Sequence, residues 1–98
     1  MANVLTRGAR EILLELSPMH ARVFITLKPG VLDPAGKAVE RSLHTLGFPE
    51  AAGVRIGKFV ELEVDAKDVA QAKARVEQMC SKLLANLVVE SFKVEIQP

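Results

Sequence analysis

The sequence is poor in the residues that bind nucleic acid, span membranes or form disulfides. The 98 residues include four Phe but no Trp or Tyr. There are 13 Lys and Arg residues against 12 Asp and Glu residues, so the net charge is close to zero. The balanced charge gives no broadly basic surface and the four Phe leave few rings for base stacking, which argues against nucleic acid as a partner. No apolar run approaches the roughly 20 residues that span a bilayer. The lone Cys80 cannot form an intramolecular disulfide, which favours the cytoplasm.

The composition is that of one small domain. Hydrophobic residues make up 49% of the chain and charged residues 26%, a balance typical of globular proteins. Pro18 interrupts a short apolar pattern near the N-terminus. We therefore predict an N-terminal extension, a tail or short helix, over residues 1–18 and a domain over residues 19–98.

Hydrophobic periodicity predicts a strand around Val23 and then a helix. Asp33 provides an N-cap side chain for this helix, and Pro34 suits its first position. Asp65 is expected to cap a second helix, and Asn86 to end it in the left-handed conformation. The expected inward stripe of the first helix is Ala35, Val39, Leu43 and Leu46. The expected stripe of the second is Val69, Ala72, Val76, Met79, Cys80 and Leu83.

The region between the helices predicts two strands, a short one at residues 54–56 and a longer one at residues 58–64. Gly57 suits the turn of a hairpin between them, and a single strand bulged at Gly57 is the alternative. A last strand is expected over residues 87–96. The resulting β-α-β-β-α-β order predicts an α+β two-layer sandwich, with an antiparallel sheet and both helices on one face, in a ferredoxin-like arrangement.

The other face of this sheet would expose Phe24, Phe59 and Val89 among polar residues. A monomer would leave that apolar surface in water, so we predict that these three residues form a dimer face.

The residues that carry catalysis or bind metals are scattered. Cys80 is expected on the apolar stripe of the second helix and His44 on the polar side of the first, so they are not expected to meet. Neither His20 nor His44 forms a metal-binding spacing with Cys80. We therefore expect no catalytic residue and no metal site.

Two cations flank a glycine at residues 54–58 (VRIGK). Gly57 permits close backbone approach, so Arg55, Gly57 and Lys58 are a candidate partner-binding loop. An ordinary hairpin with exposed cations is the alternative interpretation.

Three segments together resemble the PurS family, the small subunit of bacterial and archaeal phosphoribosylformylglycinamidine (FGAM) synthase. They are residues 31–36 (VLDPAG), 54–58 (VRIGK) and 79–86 (MCSKLLAN), which match in order and spacing within about residues 20–97. Asp33, Pro34, Gly36 and Asn86 are the motif residues to which we assign structural roles.

The resemblance implies a non-catalytic assembly subunit in de novo purine biosynthesis. The complex is a glutamine-hydrolysing C–N ligase that converts formylglycinamide ribonucleotide, glutamine and ATP to formylglycinamidine ribonucleotide, glutamate, ADP and phosphate. ATP and Mg²⁺ would be held by the synthetase subunit (PurL), and ammonia would come from the glutaminase subunit (PurQ). This chain would bridge the two enzymes, support ammonia transfer, bind no cofactor of its own and form a homodimer or larger homo-oligomer.

The alternative function is a small-molecule-binding regulatory domain of the ACT type, because such domains are dimeric sandwiches of similar layout. An acylphosphatase-like enzyme is disfavoured, since the turn at residues 28–32 (KPGVL) lacks an arginine-bearing phosphate loop.

Overall fold

The structure, a computed structural model, describes residues 16–98. Its elements in chain order are strand β1 (Ser17–Leu27), helix α1 (Pro34–Thr45), strand β2 (Lys58–Ala66), helix α2 (Val69–Met79), a π-helical turn (Cys80–Leu84) and strand β3 (Glu90–Gln97). The strands described form one antiparallel sheet in the order β2-β1-β3. The predicted α+β class, with an antiparallel sheet and two helices, is confirmed.

The core lies between the sheet and α2. Side chains alternate between the two faces of a strand, and the inner face of central strand β1 carries Ala21, Val23 and Ile25, which are at most 1% exposed. Helix α2 packs against this face and adds Val76, and the π-helical turn adds Cys80, both 0% exposed. The opposite side of the sheet, here called the outer face, is not covered by α2.

The described residues contain three strands where four were predicted, because residues 54–57 pair with no strand. The Val54 N–H donates to Oε1 of Glu40 at 3.1 Å, and the Ile56 N–H donates to Oδ2 of Asp33 at 2.8 Å. Carboxylates thus satisfy N–H groups that a neighbouring strand would otherwise bind. The expected short strand and its hairpin at Gly57 are therefore wrong, as is the bulged-strand alternative.

Helix α1 begins as the sequence predicts. Asp33 is its N-cap and Pro34 its first residue, and Oδ1 of Asp33 accepts from the Gly36 N–H at 2.9 Å. The proline fits because its missing N–H would have no partner in the first turn. The helix ends before Gly47, whose φ of +101° suits glycine.

Helix α2 begins later than predicted. Strand β2 continues through Asp65 to Ala66, so the N-cap is Asp68, whose Oδ1 accepts from the Gln71 N–H at 2.7 Å. The expected cap at Asp65 is wrong.

The C-terminal end of the second helix also differs. The π-helical turn places Leu84 against the core and leaves Leu83 84% exposed, so Leu83 does not belong to the buried stripe.

The apolar stripe of α1 does not face the core of its own chain. Val39 and Leu46 are 39% and 72% exposed, and the sheet receives its helical packing from α2. The expectation of an inward stripe is therefore wrong for the single chain. Helix α1 is held at its N-terminal end and along residues 53–57, not by its apolar side.

The predicted extension over residues 1–18 lies outside the described residues except for its last three. Ser17 and Pro18 already belong to β1, opposite Ala66 and Asp65. The domain boundary stays a prediction. Within residues 16–98, no helix has the length and apolar character needed to cross a membrane.

Replacing Ile25 with Ala should lower the free energy of unfolding by about 2–5 kcal/mol, because a large-to-small change at a buried position leaves a cavity. Ile25 is 1% exposed within the main core cluster. Urea unfolding at one fixed protein concentration measures the effect. Val88→Ala is the control, since Val88 is 82% exposed, and should change stability by less than about 0.5 kcal/mol. Similar losses in both variants would contradict the assigned core.

Candidate functional site

Asp33 connects the start of α1 to residues 54–57. Its side chain is 8% exposed and uses both oxygens, Oδ1 for the Gly36 N–H at 2.9 Å and Oδ2 for the Ile56 N–H at 2.8 Å. The bond from Ile56, then that from Gly36, hold the pKa of Asp33 below its ordinary 3.8 despite burial, with help from the nearby Arg55 charge. One carboxylate therefore caps a helix and anchors a distant segment. We call Asp33, Gly36, Glu40 and residues 54–57 the clamp.

Glu40 is the second carboxylate of the clamp. It follows Asp33 by seven residues, about two helical turns, and so lies on the same side of α1. Its bond from the Val54 N–H is the main cause that holds the pKa of Glu40 below its ordinary 4.5. Glu40 was not predicted as a site residue, although its seven-residue spacing from Asp33 indicates a shared side of the helix.

Arg55 ties the clamp to the turn after β1. Its guanidinium donates to the Val31 carbonyl at 3.0 Å and to the Lys28 carbonyl at 3.2 Å. Arginine has five N–H donors, so these bonds leave donor capacity at an exposed side chain. Arg55 thus orders this loop and still presents a cation.

Gly36 and Gly57 allow two close backbone approaches. A Cβ at Gly36 would lie 2.5 Å from the Val54 carbonyl oxygen, and a Cβ at Gly57 would lie 2.6 Å from the Ile25 carbonyl oxygen. Both neighbours are main-chain atoms that cannot rotate away. These positions exclude side chains because of packing, not because of a hairpin turn.

Lys58 joins the first residues of β2 and β3. Its Nζ lies 3.3 Å from Oε2 of Glu90, whose Oε1 accepts from the Asn86 N–H at 2.7 Å. The bond from Asn86, followed by the Lys58 contact, holds the pKa of Glu90 below its ordinary 4.5. Lys58 remains 58% exposed, so it too has a structural partner and an accessible charge.

Asn86 organises the turn before β3 in a way that was not predicted. Its Oδ1 accepts from the Val88 N–H at 3.1 Å, which is an Asx-turn contact. No non-glycine residue among those described has positive φ. The expected left-handed conformation of Asn86 is therefore wrong, although the residue does serve the turn.

The outer face of the sheet carries an exposed aromatic pair. Phe24 and Phe59 are opposite each other in register, with ring centroids 5.1 Å apart and exposures of 37% and 53%. Beside them, Arg22 has its Nε 3.9 Å from Oε1 of Glu61, and this Nε is buried without a hydrogen-bond partner among residues 16–98. Val89 lies in the turn just before β3, and its carbonyl accepts from the Lys28 N–H at 2.9 Å beside the end of the β1–β3 pairing. The dimer face of Phe24, Phe59 and Val89 stays a prediction.

Cys80 and His44 lie in separate places. Cys80 is fully buried in the core, and burial raises the pKa of its thiol. His44 lies near the end of α1, where its Nε2 is 2.6 Å from the Ala51 carbonyl oxygen. Within residues 16–98, no group of three His, Cys, Asp or Glu side chains is placed to hold a metal ion.

The chain matches the family model described as PurS: Phosphoribosylformylglycinamidine (FGAM) synthase over residues 20–98. The chain belongs to the PurS family. It is 48% identical over 77 residues to the PurS subunit of phosphoribosylformylglycinamidine synthase from Synechocystis sp., covering 79% of this chain and 77% of that one. It is 42% identical over 76 residues to the PurS subunit from Bacillus subtilis, covering 78% and 89%.

Solved PurS structures share the fold. A Thermotoga maritima PurS structure has a TM-score of 0.77 and 31% identity, covering 83% of this chain and 93% of that one. A chain in the structure of PurLQS from Thermotoga maritima has a TM-score of 0.76 and 30% identity, covering 82% and 98%. The predicted family is confirmed, which favours the PurS interpretation over the ACT alternative.

Within the PurS fold, the three recognised segments have distinct structural places. Residues 31–36 and 54–58 meet in the clamp, whereas residues 79–86 form the π-helical turn and the exit to β3. The structure thus brings Asp33, Gly36, Arg55 and Gly57 into one region and leaves Asn86 near Lys58 through Glu90.

Gly36→Ala should destabilise the protein, although Gly→Ala within an exposed helix ordinarily stabilises by about 1 kcal/mol. The sign reverses because the added Cβ would collide with the Val54 carbonyl. Chemical denaturation measures the sign, and amide exchange at Ile56 reports whether the clamp opens. Ser42→Ala, on an exposed position of the same helix, is the control. A gain in stability from Gly36→Ala would show that the close approach is absent in solution.

Acid should weaken the clamp. The pKa values of Asp33 and Glu40 are lowered in the folded chain, so at acidic pH the unfolded chain binds more protons than the folded chain. The stabilisation that these carboxylates contribute to the fold is complete at pH values above their ordinary pKa values, 3.8 for Asp33 and 4.5 for Glu40. It declines as the pH falls through and below those values. Thermal unfolding from pH 7 to about 2.5 should show this loss.

The Asp33→Asn, Glu40→Gln double variant should have a flatter acid profile, since neither amide titrates in this range. Glu50→Gln removes an exposed carboxylate outside the clamp and serves as the control. An unchanged profile in the double variant would contradict the assignment.

Proposed function

We propose that the chain is a non-catalytic assembly subunit of FGAM synthase that binds the synthetase (PurL) and glutaminase (PurQ) subunits. The main support is that the charged side chains of the clamp form hydrogen bonds with the chain's own backbone. Asp33 and Glu40 accept from main-chain N–H groups, and Arg55 donates to main-chain carbonyls. This arrangement suits a rigid binding loop better than acid–base chemistry, which needs a group free to exchange protons with a substrate.

The proposed contribution is geometric. A subunit that bridges two enzymes restricts their relative orientation and raises the effective concentration of one at the other. Ammonia released at the glutaminase would then reach the synthetase before it escapes to solvent. The similarity to a chain of the PurLQS structure from Thermotoga maritima supports this choice of partners.

Arg55 and Lys58, with Gly57 between them, are our proposed polar contacts with a partner enzyme. Both cations are anchored from within, Arg55 by two carbonyls and Lys58 by Glu90, and both side chains are exposed. Anchored side chains lose less conformational entropy on binding than free ones. Asp33, Pro34, Gly36 and Asn86 would act indirectly by positioning this loop.

The aromatic pair of the outer face, Phe24 and Phe59, is proposed together with Val89 as a contact between copies of the chain. Its two rings already pack together and stay exposed. We assign ATP and Mg²⁺ to the synthetase subunit. The cytoplasm is the proposed location, since Cys80 is a free, buried thiol that needs no oxidising compartment.

Reconstitution tests the assembly role. Synthetase and glutaminase subunits, with and without this chain, are compared for product formed from glutamine and from free ammonia. Glutamine-dependent synthesis should require the chain, whereas ammonia-dependent synthesis should persist without it. The Arg55→Ala, Lys58→Ala double variant should lower complex affinity at least about tenfold, the effect of losing about 1.4 kcal/mol of binding.

Lys73→Ala is the matched control, because Lys73 is an exposed cation on α2 remote in sequence from the loop. A double variant that assembles and couples normally would refute the loop as the contact site. Failure of the chain itself to alter either rate or form a complex would refute the assembly role.

A further inference from the structure

A hollow lies where the start of α1 meets residues 53–55. Its volume is about 380 Å³, within the size range of binding pockets. Its apolar lining comes from Val31, Leu32, Pro34 and Val54. The hydrogen bonds of the clamp join the two sides of the hollow, so its shape is set before a partner binds.

Two carboxylates and two cations also line the hollow, and they are Asp33, Glu40, Lys37 and Arg55. The carboxylates already accept from main-chain N–H groups. Arg55 has donors left over after its bonds to two carbonyls, and the side chain of Lys37 is exposed near the start of α1. The groups at the hollow that remain able to bind a new ionic partner are therefore cations.

Leu32 lines the hollow and is 86% exposed. Its position is fixed, because Arg55 donates to the carbonyl of the preceding Val31 and Asp33 follows as the helix cap. A free small molecule that filled the hollow would leave most of Leu32 in water. A protein surface can fill the hollow and cover this side chain together, which removes more apolar surface from water. The exposure of Leu32 therefore favours a protein as the occupant.

We propose that the hollow accepts an apolar side chain of a partner enzyme, and that Arg55 and Lys37 bind a carboxylate beside that side chain. An apolar anchor in a pocket, surrounded by polar contacts, typically carries much of the binding energy of a protein interface. Arginine pairs its N–H donors with the two oxygens of a carboxylate. A basic partner surface would instead meet two cations of its own sign.

This inference rests on the proposed assembly function and states which kind of enzyme surface the loop recognises. It adds Lys37 and Leu32 to the contact site that Arg55 and Lys58 define. Neither added side chain takes part in the bonds of the clamp, so both can be replaced without opening it.

Calorimetric titration of the full chain into the synthetase and glutaminase subunits tests the two contacts separately. Measurements at about 50 and about 500 mM salt change the screening length about threefold. Lys37→Ala should lower the affinity about two- to fivefold at low salt, as for an exposed ion pair. That loss should largely disappear at high salt, which a merely structural role of Lys37 would not explain.

Leu32→Ala should lower the affinity at least about tenfold at both salt concentrations, because burial of an apolar side chain is not screened by ions. Lys73→Ala is the matched control for the cation. Val88→Ala, at an 82% exposed position outside the hollow, is the control for the apolar side chain. Both controls should bind as the wild type does. All four replaced side chains are exposed, so circular dichroism should show unchanged folding.

Wild-type affinity in either test variant, an equal loss in its control, or a loss in Lys37→Ala that high salt leaves unchanged would overturn the proposal. So would a lower mass of the Leu32→Ala chain alone in sedimentation, since the hollow would then serve another copy. Thermal stabilisation of the chain by hexanoate, an apolar carboxylate, that Lys37→Ala abolishes would assign the hollow to a small molecule instead. A wild-type chain that binds neither enzyme would refute the assembly function itself, an outcome distinct from all of these.

Discussion

The carboxylate of Asp33 is the interaction on which the recognised part of the molecule depends. It binds one N–H at the start of α1 and one in the segment 23 residues further along the chain, at Ile56. Two charge-assisted bonds from main-chain donors are stronger than neutral ones, and losing the acceptor would leave one buried and one partly buried donor unsatisfied. Neighbours of Ile56 make the other contacts of this region, since the Val54 carbonyl closely approaches Gly36 and Arg55 donates to the turn after β1.

The sequence predicts what is local and misses what is distant. The cap at Asp33 and Pro34 involves neighbours in the chain, so residue type and spacing suffice to predict it. The bond from Asp33 to Ile56 joins two distant segments, and no periodicity reveals that a carboxylate replaces a strand partner. The same limit explains the cap of α2, because Asp65 and Asp68 both suit an N-cap and sheet pairing up to Ala66 decides between them.

Periodicity also identifies an apolar side without identifying what covers it. The stripe on α1 is as regular as that on α2, yet Val76 is buried and Leu46 is 72% exposed. A hydrophobic pattern indicates only that burying this surface lowers the free energy, and it does not indicate which surface covers it. The candidate loop was found through residue chemistry and family resemblance, whereas Glu40 and the carbonyl partners of Arg55 required the fold.

A subunit without a catalytic group of its own can contribute by presenting an ordered binding surface. The clamp orders its loop without using up the exposed cations. Fixing a loop before binding removes entropy that association would otherwise have to overcome. In this chain the fixing bonds come from carboxylates directed at the backbone, which leaves the cations Arg55 and Lys58 accessible at the surface. The same bonds join the start of α1 to residues 54–56, so one set of contacts orders both the helix and the proposed enzyme-facing loop.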